Sequence, residues 1–159
     1  MEKRILIVDD DEAVLDHLSR ALRLEGYYVD VANTGKKAVE SAERSAYNLA
    51  LIDIRLPDME GTELLTAMRQ TTPKMVKIIL TGYPALSNTI TAINKGVDGY
   101  LTKPVKMDEL LKTLRDNLAK QEKENEFNEE KLGEFIETRL RNLGSDPSVE
   151  SKQKPNADS

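Results

Sequence analysis

Three consecutive acids, Asp9, Asp10 and Asp11, stand directly after the apolar run "RILIV" (4–8). A further acid, Asp53, closes the apolar run "YNLALIDI" (47–54). Thr81 closes "KMVKIILTG" (74–82), and Lys103-Pro104 closes "VDGYLTKP" (97–104). Adjacent carboxylates repel one another and resist desolvation, so acids at the end of a buried run need something to offset that cost. Hard carboxylate oxygens suit Mg²⁺ (or Mn²⁺), which takes one or two protein carboxylates and leaves its other positions to water and phosphate oxygens. Such an ion neutralises both the acids and an incoming phosphate. A carboxylate can itself be the nucleophile and form an aspartyl phosphate, while an ammonium and a hydroxyl bind the remaining phosphoryl oxygens. Taken singly, each residue has an ordinary explanation. Acids after a strand cap helices, a Thr favours strands, and a Lys is a solvated charge. Taken together they point to phosphoryl transfer, provided one structure brings them to one edge.

The intervening sequence supplies that structure. "RILIV" is short and β-branched, and reads as a buried strand. Val14, Leu15, Leu18, Ala21 and Leu22 form a helical stripe ended by Gly26. "YYVDVA" (27–32) alternates as a strand, "TGKKAVESAERS" (34–45) has helical period, and "YNLALIDI" is again a buried strand. "TELLTAMRQTTP" reads as a helix stopped near Pro73, "KMVKIILTG" as a strand, and "ALSNTITAINKG" as a weaker helix. "VDGYLTKP" is a short strand, and "KMDELLKTLRDNLAKQ" a strong helix with Asp108 as its expected N-cap. Five such βα units predict an α/β fold of the flavodoxin-like type, a doubly wound five-stranded parallel sheet (βα)5 with a C-terminal helical extension. In these sheets ligands lie beyond the carboxyl ends of the strands, where the acids, Thr81 and Lys103 stand. A flavodoxin-type or dinucleotide-type phosphate loop is disfavoured. It would need Gly or Ser/Thr after the first strand, and an acidic loop repels phosphate unless a metal intervenes.

Composition excludes several alternatives. The 159 residues are 39% hydrophobic and 32% charged, with a net charge of −5, which disfavours direct nucleic-acid binding. There is no Cys, so thiolate metal sites and disulfides are excluded, and the lone His17 makes a His-based zinc site or a Ser-His triad improbable. No apolar run reaches the roughly 20 residues of a membrane span, so membrane insertion is not expected. The N-terminus turns acidic too soon for a signal peptide, and a cytoplasmic location is expected.

"ILIVDDDE", "LALIDIRLPDMEG", "IILTG" and "GYLTKP" resemble the four signature segments of the response-regulator receiver domain of two-component signalling, in the same order and spacing, over about residues 3–120. The resemblance implies a phosphorelay switch. Asp53 would be the phosphoacceptor, charged by a sensor histidine kinase or a phosphotransfer protein. Asp9 and Asp10 would be the acidic pair for Mg²⁺, and Arg55 would lend a backbone carbonyl to the metal. Family position favours Asp10 and Asp53 as direct ligands and Asp9 through water. Thr81 would be the switch hydroxyl, Lys103 the phosphoryl-pairing lysine, and Tyr100 the aromatic that swings inward. The bond before Pro104 would be cis. Asp11 falls outside the metal pair and reads as a first-turn helix acid. "DIRLPDMEG" and "LTGYP" look most like receivers of the nitrogen-regulation type. Their AAA+ ATPase and DNA-binding parts have no counterpart in this sequence, so a stand-alone receiver is expected. Phosphorylation would remodel the face of the fourth helix, fifth strand and fifth helix, to control an unknown downstream protein or self-association. Arg55 and Tyr83 border the path of the hydrolytic water in the family. Both are bulky here, which implies slow self-dephosphorylation.

Two other readings compete. A haloacid-dehalogenase-type phosphatase uses the same tools, but needs an acid two residues after its nucleophile, where Arg55 stands. A pseudo-receiver binding module would not need every acceptor position filled. The expected domain plan is a receiver over 1–120, a helical extension over 121–144 and a disordered tail over 145–159. Leu132, Phe135, Ile136, Leu140 and Leu143 form a helical stripe in that extension, too short for a convincing coiled coil. The stripe could dock on the receiver or pair with a second copy, giving a phosphorylation-linked homodimer.

Overall fold

The computed structural model describes residues 2–71, 75–82 and 97–145. The chain divides into two compact units, Met1–Leu118 and Ala119–Ser159. Strands β1 (Arg4–Val8), β2 (Tyr28–Ala32), β3 (Leu49–Asp53), β4 (Val76–Thr81) and β5 (Gly99–Thr102) form one five-stranded sheet in the order β2-β1-β3-β4-β5. Every pairing is parallel. Helices α1 (Glu12–Leu24), α2 (Gly35–Arg44), α3 (Gly61–Thr71) and α4 (Met107–Ser145) accompany it among the described residues. None of them is long and apolar enough to cross a membrane. The helix expected over 85–96, Tyr83 and the tail beyond Ser145 lie outside the described residues.

The sheet is buried on both faces, which is why its inner strands read as continuous apolar runs. Alternate residues of β1 go to opposite sides. Ile5 and Ile7 join Leu15, Leu18 and Leu22 of α1 and Leu110, Leu114 and Leu118 of α4. Leu6 and Val8 join Ala38 and Ala42 of α2 and Leu64, Leu65 and Met68 of α3. Burying each such Leu or Ile contributes about 1.5–3 kcal/mol, so the sheet is the rigid base of the molecule.

Two helix starts differ from the sequence reading. Asp11 is the N-cap of α1 rather than a first-turn acid. Its carboxylate accepts the N–H groups of Ala13 (2.9 Å) and Val14 (3.4 Å). Asp108 is the second residue of α4 rather than its N-cap, and its side chain accepts the Glu109 N–H (2.9 Å). Helix α1 ends where Gly26 takes a φ of 94°, a left-handed turn open to glycine at no steric cost.

Candidate functional site

Strand order reverses at β1, which connects through α1 to β2 on one side and pairs with β3 on the other. The register there aligns Val8 with Ile52, so the next residues, Asp9 and Asp53, emerge level with one another. Across the sheet Asp53 is level with Leu80, and Thr81 with Thr102, so Thr81 stands one step beyond Asp53 at the same edge and Lys103 two steps. Backbone hydrogen bonds extend the ladder into the site. Asp9 donates to the Ala32 carbonyl (3.1 Å), Ile54 to Leu80 (3.3 Å) and Lys103 to Thr81 (2.7 Å). The candidate side chains therefore stand on anchored backbone, Asp53 and Thr81 as the last residues of their strands and Asp9 and Lys103 one residue beyond theirs.

Lys103 holds the centre. Its Nζ donates to Asp9 Oδ2 at 2.6 Å and to Asp53 Oδ2 at 3.1 Å. Asp9 is fully buried, and its other oxygen accepts the Asp11 N–H (2.9 Å). Asp53 is also buried, and its Oδ1 accepts the Arg55 N–H (3.1 Å). Burial pushes the Asp53 carboxyl above its ordinary range, and the nearby Asp9 charge adds to the rise. The Arg55 N–H and Lys103 oppose it without cancelling it. For Lys103, burial acts to lower the pKa, but the hydrogen bond to Asp9 and the charges of both acids outweigh it, and the net direction is upward. The ammonium stays protonated.

Asp10 is exposed, the outward neighbour of buried Asp9. Among the described residues, Asp9, Asp10 and Asp53 each offer a carboxylate oxygen, all within 4.8 Å of one another. Among the described residues, one ammonium lies against three carboxylates, an excess of acid over base. An all-oxygen donor set with excess negative charge fits a hard divalent cation of the Mg²⁺ kind. Thr81 is buried at the end of β4, Tyr100 is 48% exposed on β5, and the Lys103–Pro104 bond is cis. Arg55 is exposed, and pairs with Glu60 in an antiparallel bridge. Beside Lys103–Pro104 lies an apolar recess of about 320 Å³ formed with Ala13, Val14, His17 and Val105.

One member of the site escapes sequence reasoning. Asp58, in the loop after Asp53, accepts the N–H groups of Gly35 (2.8 Å) and Lys36 (2.9 Å) at the start of α2. Thr34 caps that helix through the Lys37 N–H, which leaves the preceding donors to be satisfied from elsewhere. Those open donors are the signal that could have identified Asp58, but the sequence does not reveal which acid supplies them. Met59 lies over Gly35, where a Cβ would collide with its side chain. Gly61 donates to the Ile54 carbonyl (3.0 Å) and closes the loop, and a Cβ there would sit 3.0 Å from the Ile54 backbone.

The family model for the response regulator receiver domain matches residues 5–115. Response regulator MprA of Mycobacterium leprae is 36% identical over 112 residues, covering 70% of this chain and 49% of that protein. The uncharacterized transcriptional regulatory protein YkoG of Bacillus subtilis is 35% identical over 116 residues, 72% of this chain and 51% of that protein. The chain thus spans about half the length of these curated relatives. A CheY-like receiver domain protein from Methanospirillum hungatei has a solved structure with a TM-score of 0.73 and 48% identity, covering 78% of this chain and 99% of that one. The strand order, the acids and lysine at one sheet edge, and a match over most of the chain agree: this protein belongs to the response regulator receiver family.

Proposed function

We propose that the chain is a signalling switch in which Asp53 accepts a phosphoryl group from a sensor histidine kinase or a phosphotransfer protein. The observation that carries this reading is the Lys103 ammonium bridging Asp9 and Asp53, at 2.6 and 3.1 Å, beside a third carboxylate. An Asp53 oxygen attacks phosphorus. A P–O bond forms, the donor's P–N bond breaks, and its electron pair leaves with the imidazole. Lys103 then passes from the acids to the new phosphoryl oxygens, and the Thr81 hydroxyl donates to another. Asp10 and Asp53 would hold Mg²⁺ (or Mn²⁺) directly, with the Arg55 carbonyl, and Asp9 through water. Asp9 already has both oxygens engaged and Asp10 is exposed, which supports that division. The ion, when bound, neutralises charge between the carboxylates and the phosphoryl group.

The phosphoryl group adds about −1.5 to −2 charges, enough to draw Thr81 and Lys103 and let Tyr100 rotate inward. That change is read by a downstream protein. The apolar recess beside Lys103 supports docking of the phosphodonor protein on unit Met1–Leu118. In this reading residues 1–120 are the receiver, 121–144 a helical extension and 145–159 a tail, in a cytoplasmic protein whose only chemistry is its own phosphorylation and dephosphorylation. Exposed Arg55, with Tyr83, slows the hydrolytic water.

Incubation with acetyl phosphate and Mg²⁺, followed by intact-mass analysis, tests the assignment. The wild type gains one phosphoryl mass, while Asp53→Ala gains none and the metal-free protein little. Equal labelling of Asp53→Ala would refute it. Arg55→Asn should shorten the phosphoryl lifetime, and an unchanged decay rate would remove Arg55 from that role.

A further inference from the structure

Within unit Ala119–Ser159, the helix exposes every residue from Glu122 to Gly144. Leu132, Phe135, Ile136, Leu140 and Leu143 are 46–63% exposed, on a stripe set by spacings of three and four. Five such side chains present on the order of 100 Å² each, about 500 Å² per copy and roughly 1,000 Å² for a pair, the lower bound of a specific interface. A helix of this kind depends on packing of its apolar face for most of its stability.

We propose that this stripe pairs with a second copy of the chain in antiparallel orientation, centred on Ile136. Two features set the direction. Leu132, Ile136 and Leu140 are symmetric about Ile136, so reversing one helix lays Leu132 on Leu140 and Ile136 on Ile136 of the partner subunit. Charge is also segregated along the helix. Residues 122–130 carry five glutamates and one lysine, whereas residues 131–143 carry Lys131, Arg139 and Arg141 against Glu134 and Glu137. Antiparallel pairing about Ile136 lays Glu129 and Glu130 level with residues 143 and 142 of the partner, one turn of helix from Arg139 and next to Arg141, and the one like-charge pair it creates is Lys131 with Arg141. Parallel pairing sets like charge against like at both ends. The ion pair Arg141–Glu137 (3.4 Å) is exposed on both sides and competes weakly. Gly133 has no atom within 4 Å of a Cβ position, so no described residue of this unit covers the helix there.

The chain has no Cys, so introduced thiols report orientation directly. Leu132 and Leu140 are eight residues apart, about 12 Å along a helix, beyond the roughly 7 Å that a disulfide spans between Cα atoms. Under mild oxidation of the full chain, a mixture of Leu132→Cys and Leu140→Cys should form the crossed disulfide, while each variant alone stays largely uncrosslinked. Light scattering should show mass doubling with concentration, and Ile136→Glu should weaken association about tenfold or more. Self-crosslinking of each variant alone would overturn the antiparallel assignment. A wild-type monomer at every concentration, or an Ile136→Glu variant that dimerises unchanged, would overturn pairing through this stripe. Circular dichroism checks that Ile136→Glu keeps its helix. Phosphoryl uptake at Asp53 should be unaffected by it, which separates this proposal from the one above.

Discussion

Asp9 is held by its burial and by two partners. A fully buried carboxylate is stable only because Lys103 and the Asp11 N–H engage both its oxygens. Lys103→Met leaves that charge buried and unpaired, and should destabilise the protein by about 3 kcal/mol in urea unfolding, with part recovered on adding Asp9→Asn. Asp53 has the opposite sign. Its carboxyl is raised chiefly by burial, so the folded state favours its neutral form. A carboxyl raised on folding contributes stability below its unfolded pKa and loses it as pH rises through the folded value. Asp53→Asn should therefore stabilise the metal-free protein at neutral pH, and an equal or lower urea midpoint would contradict this. Tyr47 titrates far from the site. Burial, then the hydrogen bond to Asp30 (2.5 Å), pushes its phenol up to about 12. Its contribution is complete below pH 10 and disappears as pH rises toward 12, so Tyr47→Phe should flatten the alkaline decline in melting temperature.

At the scale of elements, the loop after Asp53 is held at both ends. Asp58 fastens it to α2 and Gly61 to Ile54. The two N–H groups from Lys36 and Gly35 hold the Asp58 carboxyl below its usual range. Its stabilising effect is present above the ordinary carboxylate pKa and is lost as pH falls through the lowered value. Asp58→Ala should raise hydrogen exchange at the first turn of α2 at neutral pH, and the difference should vanish in acid. Gly61→Ala should cost about 1–2 kcal/mol, because the obstacle is backbone. Gly35→Ala should cost less, because the flexible Met59 side chain can move aside. Equal costs would refute this contrast. The sequence makes the strands legible because β1, β3 and β4 are buried on both faces and cannot hide their apolar character. It also makes legible that Asp9, Asp53, Thr81 and Lys103 end strands, since chain position alone fixes that. It does not reveal which carboxylates the lysine bridges, nor that Asp58 serves α2. Both depend on register between segments distant in the chain. Helix starts at Asp11 and Asp108 shift by a residue or two because several neighbouring polar side chains can satisfy the same N–H groups.

Over the whole molecule, the site and the sheet are opposed in electrostatics. Three carboxylates converge within 4.8 Å at the end of the most deeply buried strands, with one ammonium among them. Without a cation that edge stores repulsion which the packed faces of the sheet must hold together. A ligand that binds the folded state alone stabilises by mass action, so Mg²⁺ at ten times its dissociation constant should contribute about 1.4 kcal/mol. For a unit of this size that corresponds to a rise of about 3–6 °C in melting temperature. Asp10→Asn and Asp53→Ala should each lose most of the rise, because each removes a proposed ligand as well as some of the repulsion. NaCl of equal ionic strength should produce little of it, since screening acts weakly on a partly buried cluster. Scanning calorimetry with Mg²⁺ and matched NaCl distinguishes the two. An equal response to both salts would mean that the added ions relieve the repulsion by screening rather than by binding, and an undiminished Mg²⁺ response in Asp10→Asn would remove Asp10 from the ligand set.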